Sequence, residues 1–230
     1  MKTKINLIGI ILLVILTNGT ANSQRLSIGG KGGYVLSKHL TNLTDNISKN
    51  IKGISAGIYF NYRFSNLFGI AAEVNYIEKG NTLTANSSST SFEEVETKLT
   101  YASIPLLFKM GTKIENDFYP YCFGGPRIDI NIKNDENKVE GLYKNLKDPN
   151  FGVSVGFGVI YEPAGEINWG VEFRFSPDLT KFPVKGYSYK NYITNFPNGV
   201  EFSNMSFEIN LVIGGTFIKG KPTPKKMKTM

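Results

Sequence analysis

The stretch Phe151-Gly-Val-Ser-Val-Gly-Phe-Gly-Val-Ile-Tyr161 alternates with period two: Phe151, Val153, Val155, Phe157, Val159 and Tyr161 share one face, and Gly152, Ser154, Gly156 and Gly158 the other. Successive side chains of a β-strand point to opposite faces, so this is a strand with one wholly apolar side and one side of very small residues. The pattern recurs downstream. Ile167, Trp169, Val171, Phe173 and Phe175 oppose Asn168, Gly170, Glu172, Arg174 and Ser176, and Phe207, Ile209, Leu211, Ile213 and Phe217 oppose Ser206, Glu208, Asn210, Gly214 and Thr216. Upstream, Leu26, Ile28 and Tyr34 oppose Ser27, Gly29, Lys31 and Gly33; Ile54 to Tyr62 and Ile70 to Tyr76 repeat the alternation. Two middle segments are less regular. Leu99 to Met110 carries Pro105 and changes phase near Ser103, and Tyr119 to Ile132 is interrupted by Gly124, Gly125 and Pro126, so each is expected to be a strand with a bulge or kink. That makes eight strands.

The surrounding chain fits one domain of this kind. It has 230 residues, 41% hydrophobic and 13% aromatic, with 24 Gly, a composition that favours strands over helical bundles. A single Cys and a single His exclude an internal disulfide and the usual zinc site. Lys2 and Lys4, the apolar run Ile5 to Leu16, and Ala21-Asn22-Ser23 read as a secretory signal peptide over residues 1–23. Loss of Lys2 and Lys4 takes the formal charge from +7 to +5, and the tail from residue 219 to 230 carries five lysines. The body between is formally neutral, which argues against nucleic acid as a partner. Residues 24–218 are expected to form the fold, with 219–230 a Lys-rich periplasmic tail.

The connections alternate in length. Long polar segments occupy roughly 36–52, 80–97, 133–149 and 177–203, and short ones fall at Ser65 to Leu67, Gly111 to Asp117 and Pro163 to Glu166. Short and long connections therefore sit at opposite ends of one antiparallel sheet. Outer-membrane barrels combine an even strand number, short periplasmic turns, long outer loops and strands of about ten residues. Such a strand, rising about 3.3 Å per residue and tilted near 45°, spans roughly the 25 Å apolar band of these barrels. The expected fold is all-β: an eight-stranded antiparallel up-and-down transmembrane β-barrel in the outer membrane, its lipid the first partner.

The polar face supports a filled lumen rather than a watery exterior. It is mostly Gly, Ser, Ala and Asn, with Lys31, Arg63 and Arg174 set against Glu73, Glu172 and Glu208, three charges of each sign. Buried ions must be paired, so a balanced set is what a packed interior requires. We expect Lys31, Glu73, Glu172, Arg174 and Glu208 to cluster at mid-lumen. Aromatics group at the two strand ends, with Tyr62, Phe64, Phe68, Phe118, Tyr119, Tyr161, Trp169 and Phe217 by the short turns and Tyr34, Tyr76, Tyr101, Phe151, Phe175 and Phe207 by the long loops. Two interfacial girdles would give this pattern; so would the general preference of aromatics for strands.

Tyr101-Ala-Ser-Ile-Pro-Leu-Leu-Phe-Lys109, Pro120-Tyr-Cys-Phe-Gly-Gly-Pro126 and the Gly-rich strand Ile28 to Tyr34 behind a signal peptide give the chain a specific likeness. It resembles the PorT-like family of outer-membrane β-barrel proteins. The resemblance implies an eight-stranded outer-membrane barrel and, through the family's name-giving members, an association with protein secretion, hence an envelope or secretion-apparatus protein as partner.

Other motifs carry less. His39, beside Ser37 in the first long loop, lacks a placed base or orienting partner and is expected to be solvated, so no catalytic residue is assigned and the chain is expected not to be an enzyme. Gly29-Gly30-Lys31-Gly32-Gly33 lacks the Ser/Thr ending and the helix of a phosphate loop. Cys122 is expected to be a small buried residue. No cofactor or metal is implied; Glu93, Glu94 and Glu96 read as a solvated loop. Eight strands enclose a lumen that side chains fill, so the expected role is structural, adhesive or secretion-associated, without an open pore. The alternative is a soluble lipocalin-like barrel, apolar face inward, carrying a small hydrophobic ligand.

Overall fold

The computed structural model describes residues 25–41, 48–86, 92–114, 117–134, 148–163, 167–189 and 192–219. The expected leader and the tail from residue 220 onward lie outside these. Ten strands follow in order: β1 (Arg25–Thr41), β2 (Ser48–Lys49), β3 (Ile51–Arg63), β4 (Phe68–Asn86), β5 (Phe92–Gly111), β6 (Phe118–Asn134), β7 (Asn150–Tyr161), β8 (Ile167–Pro177), β9 (Phe182–Tyr189) and β10 (Tyr192–Lys219). Eight of them, β1, β3 to β8 and β10, form the wall, each antiparallel to the next, and β1 closes it by pairing with both β3 and β10. Closure leaves the wall without a free edge, the condition for crossing a membrane with strands. The short β2 extends the sheet beside β4, and β9 pairs with the upper half of β10.

Which face meets lipid is set by exposure. Val155, Phe157, Phe173, Ile209, Leu211 and Ile213 point outward and are exposed, whereas Ser154, Glu172, Arg174, Glu208 and Asn210 point inward and are buried. A lipocalin-type carrier needs the reverse arrangement, so this wall does not support that alternative.

The structure corrects the sequence reading of the long connections. Much of what reads as loop is strand: β1 runs on to Thr41, β4 to Asn86, β5 starts at Phe92, and β9 with the start of β10 forms a further hairpin. The pattern misleads because the polarity of the wall inverts above the outer girdle. Val35, Ile51, Ile77, Leu99, Tyr101, Phe182, Val184 and Phe202 point inward and are buried. Their strand neighbours Lys52, Lys185 and Glu201 point outward and are exposed. Below the girdle the outer face is apolar throughout; above it the inner face gains an apolar core, and the outer face carries Lys52, Lys185 and Glu201 beside Leu40 and Ile132.

The same inversion accounts for the apparent phase change in β5. Odd-numbered residues from Thr97 to Gly111 all face inward, with Leu99 and Tyr101 above the girdle and Leu107 and Lys109 below it. No register slip occurs at Ser103; residue type switches while the strand keeps its phase. Gly124, Gly125 and Pro126 leave the pairing of β6 with β7 continuous, while the ladder with β5 skips Leu106 and Leu107 opposite Pro126 and Gly125 without changing register. The register shift lies higher, where Thr100 and Tyr101 pair with Lys133 and Asn131 and Ile132 is skipped. Tyr101 and Tyr119, expected in the girdles, are buried inside the barrel, and Cys122, expected to be buried, is exposed on the outer wall.

Candidate functional site

Inward-facing side chains fill the lumen at three depths. The middle tier is built from β1, β4, β5, β6, β8 and β10. Lys31 Nζ lies 2.5 Å from Glu73 and 3.3 Å from Glu172. Arg174 bonds the same two carboxylates at 2.9 and 2.6 Å. Tyr121 donates to Glu172 at 3.0 Å, and Lys109 sits 3.9 Å from Glu172 and 4.6 Å from the centre of the Tyr121 ring. Glu208 faces Arg174 directly in the register of β10 with β8, and accepts a hydrogen bond from Ser176. The tier thus holds Lys31, Lys109 and Arg174 against Glu73, Glu172 and Glu208, three charges of each sign.

The upper tier joins Lys79, Arg127, Asp129 and Asp178. Lys79 bridges Asp129 at 2.6 Å and Asp178 at 3.2 Å, Arg127 bonds Asp178 and lies 3.2 Å from Asp129, and Asn150 and Asn204 donate to Asp178. Asp178 directly follows β8, so it ties the start of the β9 hairpin into the barrel mouth. Leu179 N and Thr180 N donate to Phe151 O, which fastens the same segment to β7. The lower tier pairs Arg63 and Arg25 with Glu162 at 2.6 and 3.0 Å.

Between these layers, rings lie over glycines. A Cβ on Gly158 would fall 2.7 Å from the Tyr121 hydroxyl, and one on Gly214 would fall 2.2 Å from that of Tyr59. The small residues that mark the inner face in the sequence therefore make room for long side chains of adjacent strands. Their space is what lets eight strands close around aromatic and charged groups.

The top of the lumen is an apolar cap. His39, expected to be solvated, is 2% exposed on β1 and meets the edges of Phe182 and Phe202, each with ring centres 5.7 Å away. Burial pushes the imidazole down to about 3, against the opposing effect of a hydrogen bond with Asn204. It is a neutral packing residue at ordinary pH.

Of the six charges singled out in the sequence, Lys31, Glu73, Glu172 and Arg174 are bonded together, Glu208 adjoins them, and Arg63 stands apart in the lower tier. Sequence reasoning missed Lys109, Lys79, Arg127, Asp129, Asp178 and Glu162. Plain alternation carried without a break through Ser103 and past Gly125 would have found three of them, Lys109, Arg127 and Asp129; Lys79, Glu162 and Asp178 lie beyond the strand ends that the sequence suggests. Among the described residues, no group of three or more His, Cys, Asp or Glu is arranged to hold a metal.

The comparisons with known proteins agree with this geometry. A family model described as outer membrane protein beta-barrel domain matches residues 17–182, well over half of the chain. The chain belongs to that family of outer-membrane β-barrel proteins. Among solved structures it is similar to the outer membrane protein OprG of Pseudomonas aeruginosa, at 11% identity and a TM-score of 0.58, over 85% of this chain and 97% of that one. It is also similar to Neisserial surface protein A, at 14% identity and a TM-score of 0.45 over 83% and 97% of the two chains, and to AlkL, at 11% and 0.48 over 88% and 94%. At these identities the first likeness speaks for the fold alone. A search of curated proteins finds no match.

Proposed function

We propose that this is a non-enzymatic outer-membrane barrel that acts by surface contact, holding a rigid extracellular platform against another component of the envelope or against an external surface. The observation that carries this reading is the filled lumen, with paired charges at three depths and the Lys79–Asp178 layer under the β9 hairpin. A lumen packed in this way offers solutes no passage, which leaves the ends of the barrel to act. At the long-loop end β4 and β5 pair as far as Asn86 and Phe92, and β9 with β10 as far as Tyr189 and Tyr192. Binding usually resides on segments displayed by a rigid scaffold, and here the displayed segments are strands braced by their own apolar core. The likeness of Tyr101 to Lys109 and Pro120 to Pro126 to PorT-like proteins supports a secretion-associated partner as the narrower form of the reading.

The test is photo-cross-linking in intact cells from the exposed positions Lys185 and Glu201, with Leu211 on the lipid-facing wall as control. Discrete protein adducts from 185 or 201 and none from 211 are expected. Absence of adducts at the hairpin, together with steady ion conductance of the purified barrel, would overturn the proposal.

A further inference from the structure

At the short-turn end, a polar pocket of about 210 Å³ opens between the start of β1, the end of β3 and the turn after β5, lined by Arg25, Arg63, Lys113, Ser65, Thr112 and Tyr119. Its walls are rich in donors. Arg25 and Arg63 share Glu162, and Lys113 pairs with Asp117 at 2.5 Å and donates to Glu162 O at 3.0 Å, so among the described residues three cations meet two carboxylates. Arg63 and Tyr119 are buried, yet Arg63 Nε and Tyr119 Oη donate to no acceptor among the described residues. The Ser65 oxygen already accepts from Leu67 N at 3.2 Å and Phe68 N at 2.8 Å, which leaves its hydroxyl proton to be donated.

A site lined by three cations, with spare donors and buried unused ones among them, calls for an anion rich in acceptor oxygens. A carboxylate offers two oxygens in one plane, which a single guanidinium can satisfy. Here the cations come from three separate segments and converge with three hydroxyls, an arrangement suited to the several oxygens of a tetrahedral oxyanion. The volume admits a phosphate group. The depth is also that of a lipid headgroup, since Phe68 and Phe118 of the lower girdle flank the same turns. We propose that this pocket is a phosphate-binding site at the periplasmic mouth of the barrel, filled by a phosphodiester of an inner-leaflet phospholipid or by a free phosphate.

The test uses the full mature barrel in uncharged detergent micelles, titrated by calorimetry with inorganic phosphate and, separately, with dihexanoyl phosphatidylglycerol. Saturable one-to-one binding of at least one probe is expected. The double variant Arg25→Gln/Lys113→Gln removes the two more exposed cations, and loss of their charge-assisted hydrogen bonds should weaken binding about tenfold or more. Tighter binding of phosphate marks a free-oxyanion site and tighter binding of the lipid a headgroup seat. Lack of saturable binding with either probe, or wild-type affinity in the double variant, would overturn the proposal. Heat-modifiable migration checks that the double variant is folded, and Lys113→Gln alone is read out in the same way if it is not.

Discussion

Glu172 shows how much one side chain carries in this lumen. It accepts from Lys31, Arg174 and Tyr121 and faces Lys109, so removing it leaves three buried cations to be balanced by Glu73 and Glu208. Breaking a buried ion pair from one side typically costs about 3–5 kcal/mol. Glu172→Ala should lower the unfolding free energy of the barrel by about that amount, measured by urea titration in lipid vesicles; a loss below about 1 kcal/mol would mean the tier is wet and weak. His39 gives a pH signature of the opposite kind. Its folded-state value of about 3 lies below its ordinary one, so the unfolded chain binds the proton more readily. The stability His39 contributes is complete above about pH 6.5 and is lost progressively as pH falls towards 3. His39→Phe should remove that part of the acid sensitivity, seen as a flatter plot of stability against pH over this window. Six lumen charges were legible because they fall on unbroken alternation. Lys109 was hidden by the apolar pair Leu99 and Tyr101, which read as outward, and Lys79 and Asp178 were hidden in stretches that read as loop.

On the scale of a strand, the central finding is the change of polarity along its length. β10 turns Leu211 towards lipid and, farther up, Phe202 towards the core, although the two residues lie on opposite faces of one strand. Leu211→Arg places a charge on the lipid face and should cost about 2–4 kcal/mol if the site lies near the bilayer midplane. Leu99→Ala, in contrast, empties a filled core position and should cost about 2–5 kcal/mol, as in a soluble protein. Both are read by urea unfolding, and a negligible loss for Leu99→Ala would remove the extracellular core. Strand number, antiparallel order and the alternation of the two ends were legible because lipid imposes a strict period of two. The upper hairpins were not, because above the girdle the apolar residues change sides and a constant-phase search reads the change as an ending.

For the molecule as a whole, paired charges at mid-lumen and a cap at the mouth predict that the purified barrel in planar bilayers shows no steady open channel. Long-lived conductance at low voltage would contradict the packed interior. Which component the platform touches was not legible, since the sequence patterns report what solvent each face meets and not what binds at the tip. The claim beneath all of this is that hydrocarbon is the solvent of the middle wall, and depth-dependent quenching tests it most directly. Trp169 is the sole tryptophan. In a Trp169→Phe background, tryptophan is introduced as Phe173→Trp on the wall or as Lys185→Trp on the hairpin, and the protein is placed in vesicles of lipids brominated along the acyl chain. Strong quenching at position 173 and none at 185 is the predicted result; quenching at 185 with none at 173 would contradict it.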